Sequence, residues 1–232
     1  MMTDSLNFKL GNPGAVQFGN FINYYQFHPP SNRIAMLPTD IWHSVMKPNE
    51  KCYILDVGCN AGDLTIEVYN FLRANISSSN CKVLGIDIDP TLIKRASEKN
   101  SIENITFKCL DIMTEPEANY LTNSNNKFDI IFCFSITMWI HLNHGDEGLK
   151  KFLKKVSNLT NMLVIEPQPW KCYKTAVKRF NKGFPQFENL KIRQNVEEEI
   201  EKYILNCCDM GKLGESDRTE WGRKLLFFQR QK

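Results

Sequence analysis

The stretch ILDVGCNAGD (54–63) runs from an apolar segment through a glycine-spaced turn into helical periodicity. Cys52–Val57 is short and apolar, and Leu64, Val68, Phe71 and Leu72 then recur at helical spacing. Gly58 and Gly62 permit a tight turn and a close approach of backbone to a ligand. The helix that follows offers free N–H groups at its N-terminus. A dinucleotide-binding loop would carry a middle glycine where this chain has Asn60, which leaves less room for a pyrophosphate. The G-K-[ST] of a Walker-type phosphate loop is absent.

Working outward, the pattern repeats. Lys82–Ile86 is a second apolar run, followed by a helix opening at Pro90, a favoured first helical position. Asn104–Leu110 and Phe128–Phe134 are the third and fourth runs. Leu149, Phe152, Leu153 and Val156 then mark one helix face, with Lys150, Lys151, Lys154 and Lys155 on the other. Asp146 and Glu147 precede them, where negative charge suits the helix dipole. Asn161–Ile165 is a fifth run, helices follow over about Lys171–Lys182 and Val196–Asn206, and Met210–Leu213 and Lys224–Gln229 are the last runs. Strands alternating with helices predict a mostly parallel, seven-stranded α/β sheet with right-handed crossovers. Only about ten residues separate the last two runs, too few for a crossover helix, so they should form an antiparallel hairpin. SSSN (77–80) and LTNSNN (121–126) read as loops. Residues 1–50 are aromatic and rich in proline and asparagine, and read as an extended N-terminal arm on a single domain over 51–232.

Bulk composition bounds the function. At 232 residues, 42% hydrophobic and 24% charged, the chain can bury a sizeable core. A net charge of +3 neither demands nor excludes a polyanionic partner. Of eight cysteines, Cys52, Cys81, Cys109 and Cys133 lie in or beside the apolar runs, where a reduced thiol behaves as a small buried hydrophobe. No C-x-x-C pair and no zinc-finger spacing occur. The N-terminus lacks a signal-peptide core and no apolar run reaches membrane-spanning length. The expectation is a reduced, cytoplasmic protein that uses neither membrane nor metal, with a monomer as the default.

The acidic residues are placed for a nucleoside. The second run ends GIDIDP (85–90), where a carboxylate can accept hydrogen bonds from a ribose diol. The third ends CLDIM (109–113), which sets Asp111 over the same edge. A glycine turn followed by acids on the next two strands resembles the S-adenosylmethionine-dependent Rossmann-like methyltransferases. That resemblance implies that Asp56 orients the methionine end, that Asp87, with Ile88 beside it, binds the ribose, and that Asp111 with Ile112 frames the adenine. It implies further cofactor-facing positions at Asn60 and Phe134, beside the loop glycines Gly58 and Gly62.

Three other segments narrow the substrate: QFGNFINYYQFHPP (17–30), SITMWIHLNHGDEG (135–148) and EPQPW (166–170). Together they resemble the Bicoid-interacting-3 type RNA methyltransferases, which methylate the 5′-terminal phosphate of RNA, and the similarity runs from about Pro13 to the C-terminus. It is closest to the branch acting on 5′-monophosphate ends, of histidine tRNA or precursor microRNA. The branch acting on the γ-phosphate of 5′-triphosphate small nuclear RNA has an arginine in place of His28 and a lysine in place of Met138. By this resemblance the arm supplies Tyr24 and His28 to the phosphate, and Tyr25 and Arg33 touch the cofactor. The lip after the fourth strand supplies Thr137, His141 and Asn143, with S-adenosylhomocysteine as coproduct.

Blander readings stand beside these. His141, His144 and Asp146 could bind a metal, Trp139 and Trp170 could be core, and His144 could be a cap. Lys171, Lys174, Lys178 and Lys182 form one stripe that is either a solvated helix face or a track for RNA phosphates. Three alternatives remain. One is methylation of the γ-phosphate of 5′-triphosphate small nuclear RNA, against which His28 and Met138 argue. Another is a small-molecule methyltransferase, which leaves the arm and lysine stripe unexplained. The third is a catalytically inactive RNA-binding protein with a vestigial cofactor pocket, against which the intact ILDVGCNAG, GIDID and CLDIM segments argue.

Overall fold

The computed structural model describes residues 17–46, 50–75, 81–114, 121, 127–180 and 183–231. The arm is less extended than its composition suggests. It forms two short helices, α1 (Tyr24–Phe27) and α2 (Pro30–Ile34), and a 3-10 turn over Ile41–Ser44. Pro30, the second proline of the His-Pro-Pro-Ser stretch at 28–31, fixes φ for the first turn of α2.

The apolar runs become β1 (Cys52–Val57), β2 (Cys81–Asp87), β3 (Ile105–Cys109), β4 (Phe128–Phe134), β5 (Thr160–Glu166), β6 (Met210–Glu215) and β7 (Leu226–Arg230). They form one seven-stranded sheet in the order β3-β2-β1-β4-β5-β7-β6. The first five strands pair in parallel, and β7 lies antiparallel between β5 and β6. The chain winds outward from β1 to β3, then returns beside β1 as β4. That reversal opens a crevice at the C-terminal ends of β1 and β4, where open α/β sheets hold ligands.

The helices are α3 (Asp63–Asn75), α4 (Pro90–Lys99), α5 (Thr137–Asn158), α6 (Trp170–Arg179) and α7 (Val196–Cys207). Strand alternation divides the core. Ile131 and Cys133 of β4 face a cluster with Phe152, Tyr173 and Ile200 of α5–α7, while Ile130 and Phe132 face one with Leu64, Val68 and Leu72 of α3. The second half of the arm belongs to that latter cluster: Trp42 is fully buried against Phe71, Phe132 and Phe227, and its indole N–H donates to Pro38 O. Residues 37–46 thus pack into the domain core rather than over the crevice.

Other differences have local causes. Helix α6 stops at Arg179, where Phe180 turns to extended backbone, and Lys182 lies outside the described residues. The expected loops at 77–80 and 121–126 also lie outside them, except Leu121, which is buried. All eight cysteines are free, but Cys109 is exposed because β3 is the sheet edge. No helix among the described residues is long and apolar enough to cross a membrane.

Candidate active site

Two cavities open side by side at the β1/β4 crevice. The first, of about 940 Å³, is lined by the β1–α3 loop, the ends of β2 and β4, and the arm. Its glycine loop folds as the sequence requires, with Gly58 and Gly62 at φ of +78° and +81°. Asn60 sits at φ +52°, a conformation that asparagine tolerates better than other side chains, so it takes the place of the missing middle glycine. Its amide oxygen accepts from Ala61 N–H (2.8 Å), and its amide nitrogen donates to Phe21 O (3.0 Å), which ties the arm to the loop.

Asp87 is held by N–H donors from Asn60 (2.9 Å) and Asp89 (3.0 Å). Burial pushes its carboxyl up to about 6 against those bonds. Burial likewise pushes Asp56 up to about 6, against the hydrogen bond Thr65 donates at 2.6 Å. Ile88, Asp111, Ile112 and Phe134 complete the floor, and Asp111 Oδ1 accepts from Met113 N–H. Tyr25 lies over the loop with its hydroxyl donating to Cys59 O at 3.3 Å, and burial first, then Asp56, keep that phenol protonated. Of the cofactor positions expected from the sequence, all but Gly62 line this cavity, and Gly62 lies behind the loop against Phe107 and Ala96.

The arm closes over it. Asn20 donates to Asp89 at 2.6 Å. Gly19, at φ +73°, lies so close to Trp139 that a Cβ there would overlap the indole.

Between the cavities lies a buried polar cluster that only partly announced itself in the sequence. Arg33 and Glu166 are both fully buried and pair at 2.9 Å. Arg33 Nη2 donates to Tyr24 Oη (2.7 Å) and Ser135 Oγ (3.0 Å), and Ser135 in turn donates to Glu166. Arg223 Nη1 reaches the same two oxygens, at 3.4 Å and 2.7 Å. Burial would depress both guanidiniums, but Tyr24 and Glu166 outweigh it and hold them charged. Ser135 occupies the left-handed region at φ +54°, a conformation costing roughly 1–2 kcal/mol for an L-residue. Its three side-chain partners over-determine that strained backbone.

The second cavity, of about 1,110 Å³, shares Tyr24, Ser135 and Trp139 with the first. Its walls include Phe27, His28, Met138, Lys171, Arg179, Trp221 and Arg223, and no carboxylate lines it among the described residues. His28 stacks edge-on against Trp221 (centroids 4.5 Å apart). Burial first, then Arg223 and Arg33, lower its pKa to about 4, so it is neutral at pH 7.

The residues expected at a lip after β4 divide by helical phase, because α5 begins at Thr137 and continues through a kink at Gly145 (φ +69°). Ile136, Trp139, Ile140 and His144 face the first cavity. Thr137 and His141, one turn apart, face inward. Thr137 donates to Gln168 Oε1 at 3.0 Å. His141 uses both ring nitrogens, on Asp146 (2.8 Å) and Tyr173 Oη (3.1 Å), and burial lowers its pKa despite Asp146. Asn143 spends its amide nitrogen on Gln17 O and Trp139 O. These three line neither cavity, and their hydrogen bonds run instead to Gln168, Asp146, Tyr173 and Gln17, which tie α5 to its neighbours and to the arm. Asp146 also accepts from Lys191 and Ile192 N–H, while His144 points elsewhere, so the three side chains form no common metal site. Trp139 is a wall of both cavities rather than core, and Trp170 packs flat on Phe187 at 5.4 Å.

Comparison with known proteins agrees with this geometry. The family model for Bicoid-interacting protein 3 matches residues 128–230, and a general methyltransferase-domain model matches 54–161. A pre-miRNA 5′-monophosphate methyltransferase of Xenopus laevis is 42% identical over 253 residues, spanning 100% of this chain and 99% of its own. An RNA 5′-monophosphate methyltransferase of Homo sapiens is 38% identical over 94% of this chain and 82% of its own. Among solved structures, the plantazolicin methyltransferase BpumL in complex with a desmethyl analogue and S-adenosylhomocysteine superposes with a TM-score of 0.60 at 15% identity, covering 90% of this chain and 89% of that one. The strand order, the glycine loop with its two following acids, and these relatives lead to one conclusion: the chain belongs to the Bicoid-interacting protein 3 family of methyltransferases, among the RNA 5′-monophosphate methyltransferases.

Proposed function

We propose that this protein transfers a methyl group from S-adenosylmethionine to the 5′-terminal monophosphate of RNA, of the histidine tRNA or precursor microRNA type. The observation that carries the reading is the second cavity: it adjoins the first through a shared wall and, among the described residues, is lined by Lys171, Arg179 and Arg223 without an acid.

The first cavity fits the donor. Asp87 is placed for a ribose diol, Ile88 and Ile112 for an adenine face, and Arg33 keeps a buried Nη1 without a partner, suited to a carboxylate. When bound, S-adenosylmethionine supplies an electrophilic sulfonium methyl. A terminal phosphate monoester has a second pKa of about 6, so it is largely dianionic and nucleophilic at neutral pH. One phosphate oxygen forms the new C–O bond as the C–S bond breaks, and no proton need move. Tyr24, on the wall between the cavities, and neutral His28 can therefore act by alignment, without withdrawing a proton. Neutral His28 and Met138 leave fewer cations than a triphosphate would require. The free cysteines suit a reducing compartment such as the cytoplasm.

The test is transfer of labelled methyl to one acceptor stem carrying a 5′-monophosphate, 5′-triphosphate or 5′-hydroxyl end. Label on the monophosphate alone is expected. Equal label on the triphosphate would overturn the branch, and label on all three would move the target off the terminal phosphate.

The lysine stripe extends the cavity outward, since Lys171, Lys174 and Lys178 are exposed along α6. Lys174→Glu with Lys178→Glu should weaken RNA binding and flatten its logarithmic salt slope by about 0.7–0.9 per lost phosphate contact. S-adenosylhomocysteine affinity should not change. An unaltered salt slope would mark the stripe as a solvated face.

A further inference from the structure

The charge in the buried cluster does not close. Arg33, Arg223 and Glu166 sum to +1, and Glu166 directly contacts Arg33 and Ser135 but not Arg223. Arg223 is nine-tenths buried, and among the described residues its side-chain bonds go to neutral groups: Tyr24 Oη, Ser135 Oγ and, at 3.9 Å, Cys172 Sγ. Its Nε has no hydrogen-bond partner among the described residues. A buried guanidinium with a spare donor and no carboxylate in contact is costly to hold unless an anion completes it.

The loop that presents it is built rather than loose. Residues 216–225 join β6 to β7, closed by Ser216 N–H to Leu225 O (3.0 Å) and Thr219 N–H to Arg223 O (2.7 Å). Gly222 takes φ +76°, and its N–H reaches Thr219 O at 2.7 Å. Arg218 clamps the tip from outside, donating to Gly222 O and pairing with Glu197 of α7 at 2.8 Å. This turn brings Trp221 onto His28 and aims Arg223 at the wall between the two cavities.

We propose that Arg223 is a phosphate-binding residue of the reaction: its guanidinium holds non-reacting oxygens of the RNA 5′-monophosphate, with Trp221 fixing His28 beside it. The inference rests on the methyl-transfer reading above and adds to it the residue that distinguishes a phosphorylated end from a hydroxyl. Arg223 donates to the two spectator oxygens, leaving the third free to attack. The bond made and the bond broken are those already given, and Arg223 keeps its protons throughout.

The experiment compares wild type, Arg223→Met and Arg223→Lys, each tested for S-adenosylhomocysteine affinity, kcat, KM, and binding of the same stem with 5′-phosphate or 5′-hydroxyl. In Arg223→Met the preference for the phosphorylated stem should collapse, and kcat/KM should fall about 100-fold, while cofactor affinity stays within about twofold. Arg223→Lys keeps the charge but loses the planar fork, so KM should rise about tenfold with kcat nearly retained. If the methionine variant fails to hold S-adenosylhomocysteine, the lysine variant carries the test. Variants that keep the wild-type preference for the 5′-phosphate would overturn the role of Arg223 alone. Wild type that shows neither transfer nor preference would instead overturn the function on which it rests.

Discussion

Glu166→Ala should lower the free energy of unfolding by about 3–5 kcal/mol, the usual cost of stripping one partner from a buried ion pair. Both side chains are fully buried, so solvent neither screens the pair nor rescues Arg33 once the carboxylate is gone. The loss is compounded because Ser135 donates to the same carboxylate and depends on it to stay in a left-handed backbone conformation. At this chain length the change corresponds to a fall in Tm of roughly 6–20 °C. Urea unfolding would read it as a lower midpoint at unchanged slope. Joint replacement by Arg33→Met and Glu166→Leu should recover much of the stability while abolishing activity, since apolar pairs of similar volume are tolerated where half a pair is not. A loss below about 1 kcal/mol for the alanine variant would mean that water reaches the pair.

The second large effect is a pH dependence of cofactor affinity. Binding of S-adenosylhomocysteine should weaken by about tenfold per pH unit below about 6 and level off above it, because Asp87 must be ionised to accept from a ribose diol. The sign for folding is opposite. Burial raises the carboxyls of Asp87 and Asp56 from 3.8 to about 6, so as pH rises through that window the unfolded chain releases its protons first. The ligand-free protein therefore loses stability between about pH 4 and pH 6 on account of these two groups, in the same range where its affinity climbs. Calorimetric titration across pH 5–8 for wild type and Asp87→Asn would separate the two. Asp87→Asn should bind weakly at every pH with a flattened profile. A wild-type affinity independent of pH would show that Asp87 is ionised throughout.

The strands and the cofactor side were legible in the sequence because their signals are local. Six-residue apolar runs such as Cys52–Val57 became strands at those residues, and the glycine turn and Asp87 need only their own neighbours to be positioned. Asn60 was read as a missing glycine, whereas its positive φ makes it a substitute for one. The substrate side was less legible. The run 135–148 looked like a polar lip because its polar residues are consecutive, but a helix distributes consecutive residues over all its faces. His141 and Thr137 consequently turned inward, and Trp139 turned toward the two cavities. Arg223 gave no signal, since a charged hairpin tip reads as solvated until the fold brings it back across the sheet to Tyr24 and Ser135, 199 and 88 residues earlier.

The arm that roofs the first cavity also builds the second, through Phe21, Tyr24, Phe27 and His28. On the proposed function, an RNA end seated there should hold the roof down and delay exchange of spent donor. The expected outcome is ordered turnover, donor loaded first and spent donor released last, which product-inhibition kinetics would check. A second methyl on the same phosphate would then need a separate encounter, so the singly modified end should accumulate before a doubly modified one.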